Sequence, residues 1–204
     1  MAKKIGISCI ALGICCILGS IGFIIYNNFE AAQAENASKS MLRDVQEKIT
    51  ESAEETFDET EKTVIDEKEI PDEMLTTVVE GYECIGILSI PVLELELPVL
   101  NDWSYTKLKT APCIYFGTYF EKDFVIAAHN YQSHFGRLSE LQQGDLVLFT
   151  DVSGKVYYYE VVLIETLPGD ATEQMITSGF DLSLYTCTPS GSGRVTVRCN
   201  AISK

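Results

Sequence analysis

The chain has 204 residues, enough for one ordinary domain plus extras, and carries 30 acidic against 15 basic residues for a formal charge of −15. The excess is uneven, since residues 30–73 alone hold 15 acidic and 5 basic residues. No basic stripe exists, which excludes nucleic-acid binding as the main task, and the seven cysteines have neither zinc-site spacing nor that of a disulfide framework.

Met1-Ala2-Lys3-Lys4 precede Ile5 to Tyr26, a run without a charged residue. A run of about 20 apolar residues suffices to cross a hydrocarbon core of ~30 Å. Lysines before it and acidic residues after it orient the N-terminus to the cytoplasm. The expected organisation is therefore a cytoplasmic 1–4, a transmembrane helix 5–26 and an extracellular remainder. Ala32-Gln33-Ala34 also has the small residues of a signal cleavage site, but the apolar run exceeds the ~7–15 residues of a signal core, which favours a retained anchor. Residues 27–73 read as an acidic extracellular linker or stalk, solvated or loosely helical. Leu42, Val45 and Ile49 hint at a helical stripe that fades by Ser52 and Thr56.

After Pro71 short apolar runs alternate with turns, and a separate domain is expected over 74–204. Tyr82 to Ile90 reads as a strand ended by Pro91. Leu93-Glu94-Leu95-Glu96-Leu97 alternates strictly, as a half-buried strand does. Ser104 to Thr110 suits a short helix, with Asp102 and Trp103 just before it. Phe124 to His129 is an apolar strand, Arg137 to Gln142 a short helix or turn. Leu146 to Thr150 and Val156 to Ile164 flank Asp151-Val152-Ser153-Gly154 as a hairpin, with Tyr157, Tyr159, Val161 and Leu163 on the expected core face. About eight short strands with little helix predict a mainly β fold, a closed or nearly closed β-barrel.

The last hairpin carries the chemistry. Over 181–187 side chains alternate faces, so Leu182 and Leu184 point to the core while Ser183, Tyr185 and Cys187 point to the other side. Thr188 to Gly193 is a loop by composition. Arg194-Val195-Thr196-Val197-Arg198 resumes the alternation, which brings Arg194 opposite Cys187 and leaves Arg198 about 13 Å further along at ~3.4 Å per residue. Cys199 shares the parity of Val195 and Val197 and reads as a small buried hydrophobe; a Cys84–Cys199 disulfide is the lesser alternative. A lone cysteine at a strand end is more often structural than reactive. A nucleophilic thiolate needs a cation or base nearby, and the two histidines both fall in 129–134. His129 sits at a strand exit facing a cleft, and His134 lies inside the following loop.

Leu184, Thr186, Cys187, Arg194 and His129 match a Thr-Leu-x-Thr-Cys motif, an arginine on the next strand and a histidine after an apolar strand. In this the chain resembles the sortases, surface cysteine transpeptidases of Gram-positive bacteria, over roughly residues 78–202. Ser183 stands where threonine is usual, and Ala128 where a glycine often precedes the histidine. The resemblance implies an eight-stranded sortase-like β-barrel with short helices behind one N-terminal membrane anchor. It implies Cys187 as nucleophile, His129 as general acid and base, and Arg194 as oxyanion or backbone donor, with no metal or organic cofactor. Thr186 is expected to help place substrate, Ser183 and Tyr185 share the face of Cys187, and Leu167, Met175 and Ile176 offer an apolar wall for a peptide. The implied substrates are surface proteins or pilins bearing an LPxTG-like sorting signal, the implied acceptor an amine of a cell-wall precursor or a pilin lysine. The chain ends at Lys204 without a second membrane span, which tilts the expectation toward wall attachment over pilin polymerisation. A cysteine peptidase and a tethered β-barrel binding module with a structural cysteine are the alternatives.

Overall fold

The computed structural model describes residues 2–59 and 74–203. Helix α1 (Ala2–Glu59) is followed by strands β1 (Thr77–Val79), β2 (Tyr82–Ile90), β3 (Leu95–Leu100), β4 (Cys113–Phe116), β5 (Phe124–Ala127), β6 (Leu146–Asp151), β7 (Val156–Pro168), β8 (Leu182–Cys187) and β9 (Gly193–Ala201). Two short helices, α2 (Tyr105–Leu108) and α3 (Thr172–Ile176), interrupt them. The strand order is β1-β2-β3-β4-β5-β8-β9-β7-β6, and β2 also pairs with β6. That second pairing closes β2 to β9 into an eight-stranded barrel with β1 appended as an edge. Closure leaves no room for a side chain on Gly86, where a Cβ would stand 2.0 Å from the Thr150 carbonyl oxygen.

The inward-facing residues of this barrel include Leu88, Val99, Phe124, Ile126, Phe149, Val161, Leu184 and Val197. At about 25 cal/mol per Å² of apolar surface removed from water, such side chains supply the main stabilising free energy. Two sequence expectations need correction. Pro91–Leu93 form a 3₁₀ turn, not the start of a strand, because Glu94 adopts a left-handed backbone (φ 51°) that no strand tolerates. Leu163 is exposed, because a bulge between Val161 and Leu163 shifts the parity of β7 and turns Ile164 toward the core instead.

The stretch expected as a linker is largely helix. Ala34, Ser38, Met41 and Val45, three or four residues apart on one face, are buried. Met41 and Val45 pack with Val79, Cys84, Ile87 and Leu100, and Leu42 and Ile49 flank them. The polar edge is tied by Lys48 donating to the Val78 carbonyl at 2.7 Å and Ser40 donating to Glu80 at 2.8 Å. The hint of a stripe at Leu42, Val45 and Ile49 was therefore the register of a docked helix, one that needs the barrel to bury it. Residues 60–73 of the expected linker lie outside the described residues.

His134 is fully buried where the β5–β6 connection meets α1. Neither ring nitrogen makes a hydrogen bond; the Ala34 carbonyl offers only a partial partner. Burial, reinforced by the neighbouring His129, lowers its pKa to about 4. The unfolded chain, with an ordinary histidine near ~6.5, takes up the proton first as pH falls. The associated stability is thus complete above about pH 6.5 and lost on descending toward pH 4, an amount of about 3 kcal/mol. His134→Phe is expected to flatten this part of the pH profile in denaturant titrations run between about pH 7 and 4.5. A variant whose stability falls as steeply as the wild type would contradict the assignment.

Candidate active site

Strand β8 is held by β5 on one side, in parallel, and by β9 on the other, antiparallel. The β5 register pairs Ala127 with Tyr185, and the ladder continues as Ala128 donates to the Tyr185 carbonyl at 3.2 Å. Two residues further along both strands, His129 and Cys187 emerge at the same edge. The β9 register sets Cys187 directly opposite Arg194. All three line one cleft of about 180 Å³, with Trp103, Tyr115, Met175 and Tyr185 among its walls. A larger groove of about 680 Å³ lies against Tyr119, Tyr157 and Tyr158, but no cysteine or histidine lines it. Chemistry, not volume, selects the smaller cleft.

Cys187 is exposed, whereas Cys84, Cys113 and Cys199 are buried free thiols. Burial pushes each of those three up to about 12, far from thiolate formation at neutral pH. Cys84 and Cys199 occupy separate core clusters. His129 is half-buried beside Tyr131, ring centroids 5.0 Å apart, and its Nε2 makes no hydrogen bond. Desolvation lowers its pKa, Lys109 lowers it further, and Glu30 opposes them. Arg194 Nη1 donates to the carbonyls of Gly191 at 3.2 Å and Gly193 at 3.0 Å, folding its guanidinium along its own loop. Among the described residues no group of three or more His, Cys, Asp or Glu side chains is arranged to hold a metal ion.

The other predicted contacts divide. Tyr185 and Met175 line the cleft. Thr186 faces inward, buried, and its hydroxyl donates to the Ala128 carbonyl at 2.8 Å, so it braces the strand that presents His129. Leu167 is buried beneath Met175, with Ile176 packed beside them. Ser183 shares the face of Cys187, as parity requires, but α3 covers that part of the face. The serine is fully buried there and accepts a hydrogen bond from Arg198 Nη1 at 2.8 Å.

Sequence reasoning named Tyr185 but left Trp103 unassigned, and it missed Tyr115 and the anchor behind α3. Trp103, Tyr115 and Tyr185 form a chain of ring contacts at 5.7 and 5.2 Å. Tyr115 came from a short strand that gave no alternation to read. Arg198, set aside as too far from Cys187, is 2 % exposed. Its Nε donates to Glu165 at 2.9 Å and its Nη2 to the Gln174 carbonyl at 2.8 Å. At the other end of the same connection, the Asp123 carboxylate accepts from the backbone N–H groups of Ser178 and Gly179 at 2.6 and 2.8 Å. The segment from Pro168 to Phe180 is thereby clamped over the sheet at its middle and near its C-terminal end.

Residues 88–202 match the model of the sortase domain. The chain belongs to the sortase family. Solved structures with the same fold include sortase D5 of Clostridium perfringens, at 19% identity and a TM-score of 0.60, covering 82% of this chain and 99% of that one. Sortase C of Streptococcus pneumoniae aligns at 24% identity and a TM-score of 0.58, covering 81% and 97%. Sortase A of Corynebacterium diphtheriae aligns at 21% identity and a TM-score of 0.54, covering 60% of this chain and 62% of that one. At these identities the likeness speaks for the fold. No curated protein matches the sequence.

Removing the guanidinium of Arg198 leaves the Gln174 carbonyl and Ser183 hydroxyl of this sortase without their donor. Arg198→Gln is expected to destabilise the chain by about 3 kcal/mol and to open the 168–180 segment. Limited proteolysis should then cut within that segment much faster than in the wild type. Equal resistance of the two proteins would show that α3 holds its place without the arginine.

Proposed function

We propose that this sortase is a cysteine transpeptidase that cleaves an LPxTG-like sorting signal and transfers the surface protein to an amine of a cell-wall precursor. The observation that carries the reading is the cross-strand pair Cys187–Arg194 sharing one cleft with His129. The Cys187 thiolate attacks the threonine carbonyl of the signal. The C–N bond breaks as His129 protonates the departing amine, leaving a thioester on Cys187. The incoming amine gives a proton to His129 and displaces the thiolate, forming a new amide. Arg194, a permanently charged planar donor, stabilises the oxyanion in both halves once its guanidinium turns from the Gly191 and Gly193 carbonyls to the substrate. Tyr185 and Met175 supply apolar wall; Thr186, Leu167, Ile176 and Ser183 act from behind it as support. The chemistry calls for no cofactor.

The uncharged run from Ile5 to Tyr26 lies within α1. It supports a single membrane span with the barrel outside the cell. Exposure of Cys187 weighs against a binding module with a merely structural thiol. A pilin lysine is the alternative acceptor. Because α1 packs on the barrel, the full chain in detergent is the protein to assay. Intact-mass analysis with sorting-signal peptides, with and without an added amine, should find an acyl adduct on Cys187 and a peptide–amine product. Cys187→Ala should give neither, and Arg194→Ala should slow transfer by about 10²–10³-fold. Transfer at the wild-type rate by either variant would sink the reading, and an adduct that only hydrolyses would turn it toward a peptidase.

A further inference from the structure

Two of the segments that build the cleft meet α1 near the end of its apolar run. Lys109, just beyond α2, is ion-paired with Glu30. Tyr131, beside the His129 ring, lies within electrostatic reach of Glu30, Lys109 and Tyr26. Tyr26 precedes the polar pair Asn27-Asn28 that ends the apolar run, and Glu30 follows it by four residues, about 6 Å along a helix that rises ~1.5 Å per residue. Further along α1, Ile49 Cγ2 stands 3.5 Å from where a Cβ on Gly154 would be, in the turn between β6 and β7. The step from Glu30 to Ile49 is about 28 Å by the same rise. A continuous helix therefore sets the polarity of the barrel. The end with His129 and α2 is near Tyr26, and the β6–β7 turn is remote from it.

The near end also presents large aromatic surface to solvent. Tyr105 is 77 % exposed and Trp103 41 %, and the two rings meet edge to face at 5.7 Å. Amphipathic aromatic rings at this height are the residues that settle among lipid headgroups at a membrane–water boundary. We propose that the cleft end of the barrel rests on the outer leaflet, with Trp103 and Tyr105 seated in the headgroup layer and the bilayer forming one wall of the cleft entrance. The proposal rests on Ile5 to Tyr26 spanning the membrane. A peptide then reaches Cys187 by moving in the membrane plane, so a substrate tethered in the same bilayer arrives at the height of the cleft.

Trp103 is the one tryptophan of the chain, so its fluorescence reports on this rim alone. Full-length protein is reconstituted into vesicles of phosphatidylcholine and phosphatidylglycerol, and flotation on a density gradient first establishes insertion. Headgroup-labelled nitroxide lipid should then lower Trp103 emission about twofold, as for an interfacial ring. A Trp103→Phe/Val152→Trp variant carries its reporter in the remote turn and should keep its emission. Protein that floats while Trp103 is unquenched, or while the Val152→Trp reporter is quenched equally, overturns the membrane-facing cleft and leaves the anchor standing. Protein that does not float overturns the anchor and this inference with it.

Discussion

Strand β8 has neighbours of opposite sense on its two sides, and the site depends on both registers at once. Parallel pairing with β5 brings the exit of His129 to Cys187, and antiparallel pairing with β9 brings Arg194 there. A slip of one residue on either side would exchange Cys187 with Thr186 between the open and core faces. The packing forbids that slip. Leu182 and Leu184 are fully buried, and the Thr186 hydroxyl is committed to the Ala128 carbonyl across the β5–β8 seam. Beyond β8, Thr188 donates to the Gly193 carbonyl at 2.9 Å and closes the loop that faces Cys187 with Arg194. The barrel core therefore sets the geometry of groups that lie outside it.

The cleft itself is on the outer face of the sheet, where nothing in barrel closure supplies a wall. One wall comes from α3, a helix of five residues too short to persist alone. Arg198 holds it by donating to Glu165, Ser183 and the Gln174 carbonyl. Burying a guanidinium costs several kcal/mol of desolvation, so these bonds do little more than offset its own burial. Their consequence is positional: Met175, which lines the cleft, stands between the anchored Gln174 carbonyl and the sheet. Rigidity of the wall and the loss of Ser183 as a surface residue have the same cause.

Strand periodicity made much of this legible. The parity of 181–187 assigned Leu182 and Leu184 to the core and Cys187 to the open face, and cross-strand counting found Arg194. Parity gives a face, however, and not what covers it. That is why Ser183 and Tyr185 read alike although one lies under α3 and the other lines the cleft. The bulge in β7 misled for a related reason: one extra residue reverses every later assignment, and Leu163 follows no local signal. Helix α1 was half visible because its stripe is made of small and partly polar residues, Ala34 and Ser38 beside Met41 and Val45. Their burial depends on a partner surface that composition does not reveal. Arg198 was discounted on distance to Cys187, a measure blind to a residue acting on the wall instead of on the thiol.

The docking of α1 also gives the stalk an electrical part in the site. Half of the acidic residues of the chain precede the barrel, and Glu30 brings one carboxylate to within reach of His129. Lys109 and Glu30 are paired, and they push His129 in opposite directions, so their fields largely cancel there and desolvation governs its titration. Separating the barrel from α1 would leave Lys109 without its counter-charge. That change depresses the histidine further, so the isolated barrel balances different terms from the whole chain. In the mechanism proposed above, where His129 gives its proton to a leaving amine, transfer is sensitive to this balance. The helix that ties this barrel down thus also helps to set the proton affinity of the histidine that shares a cleft with Cys187.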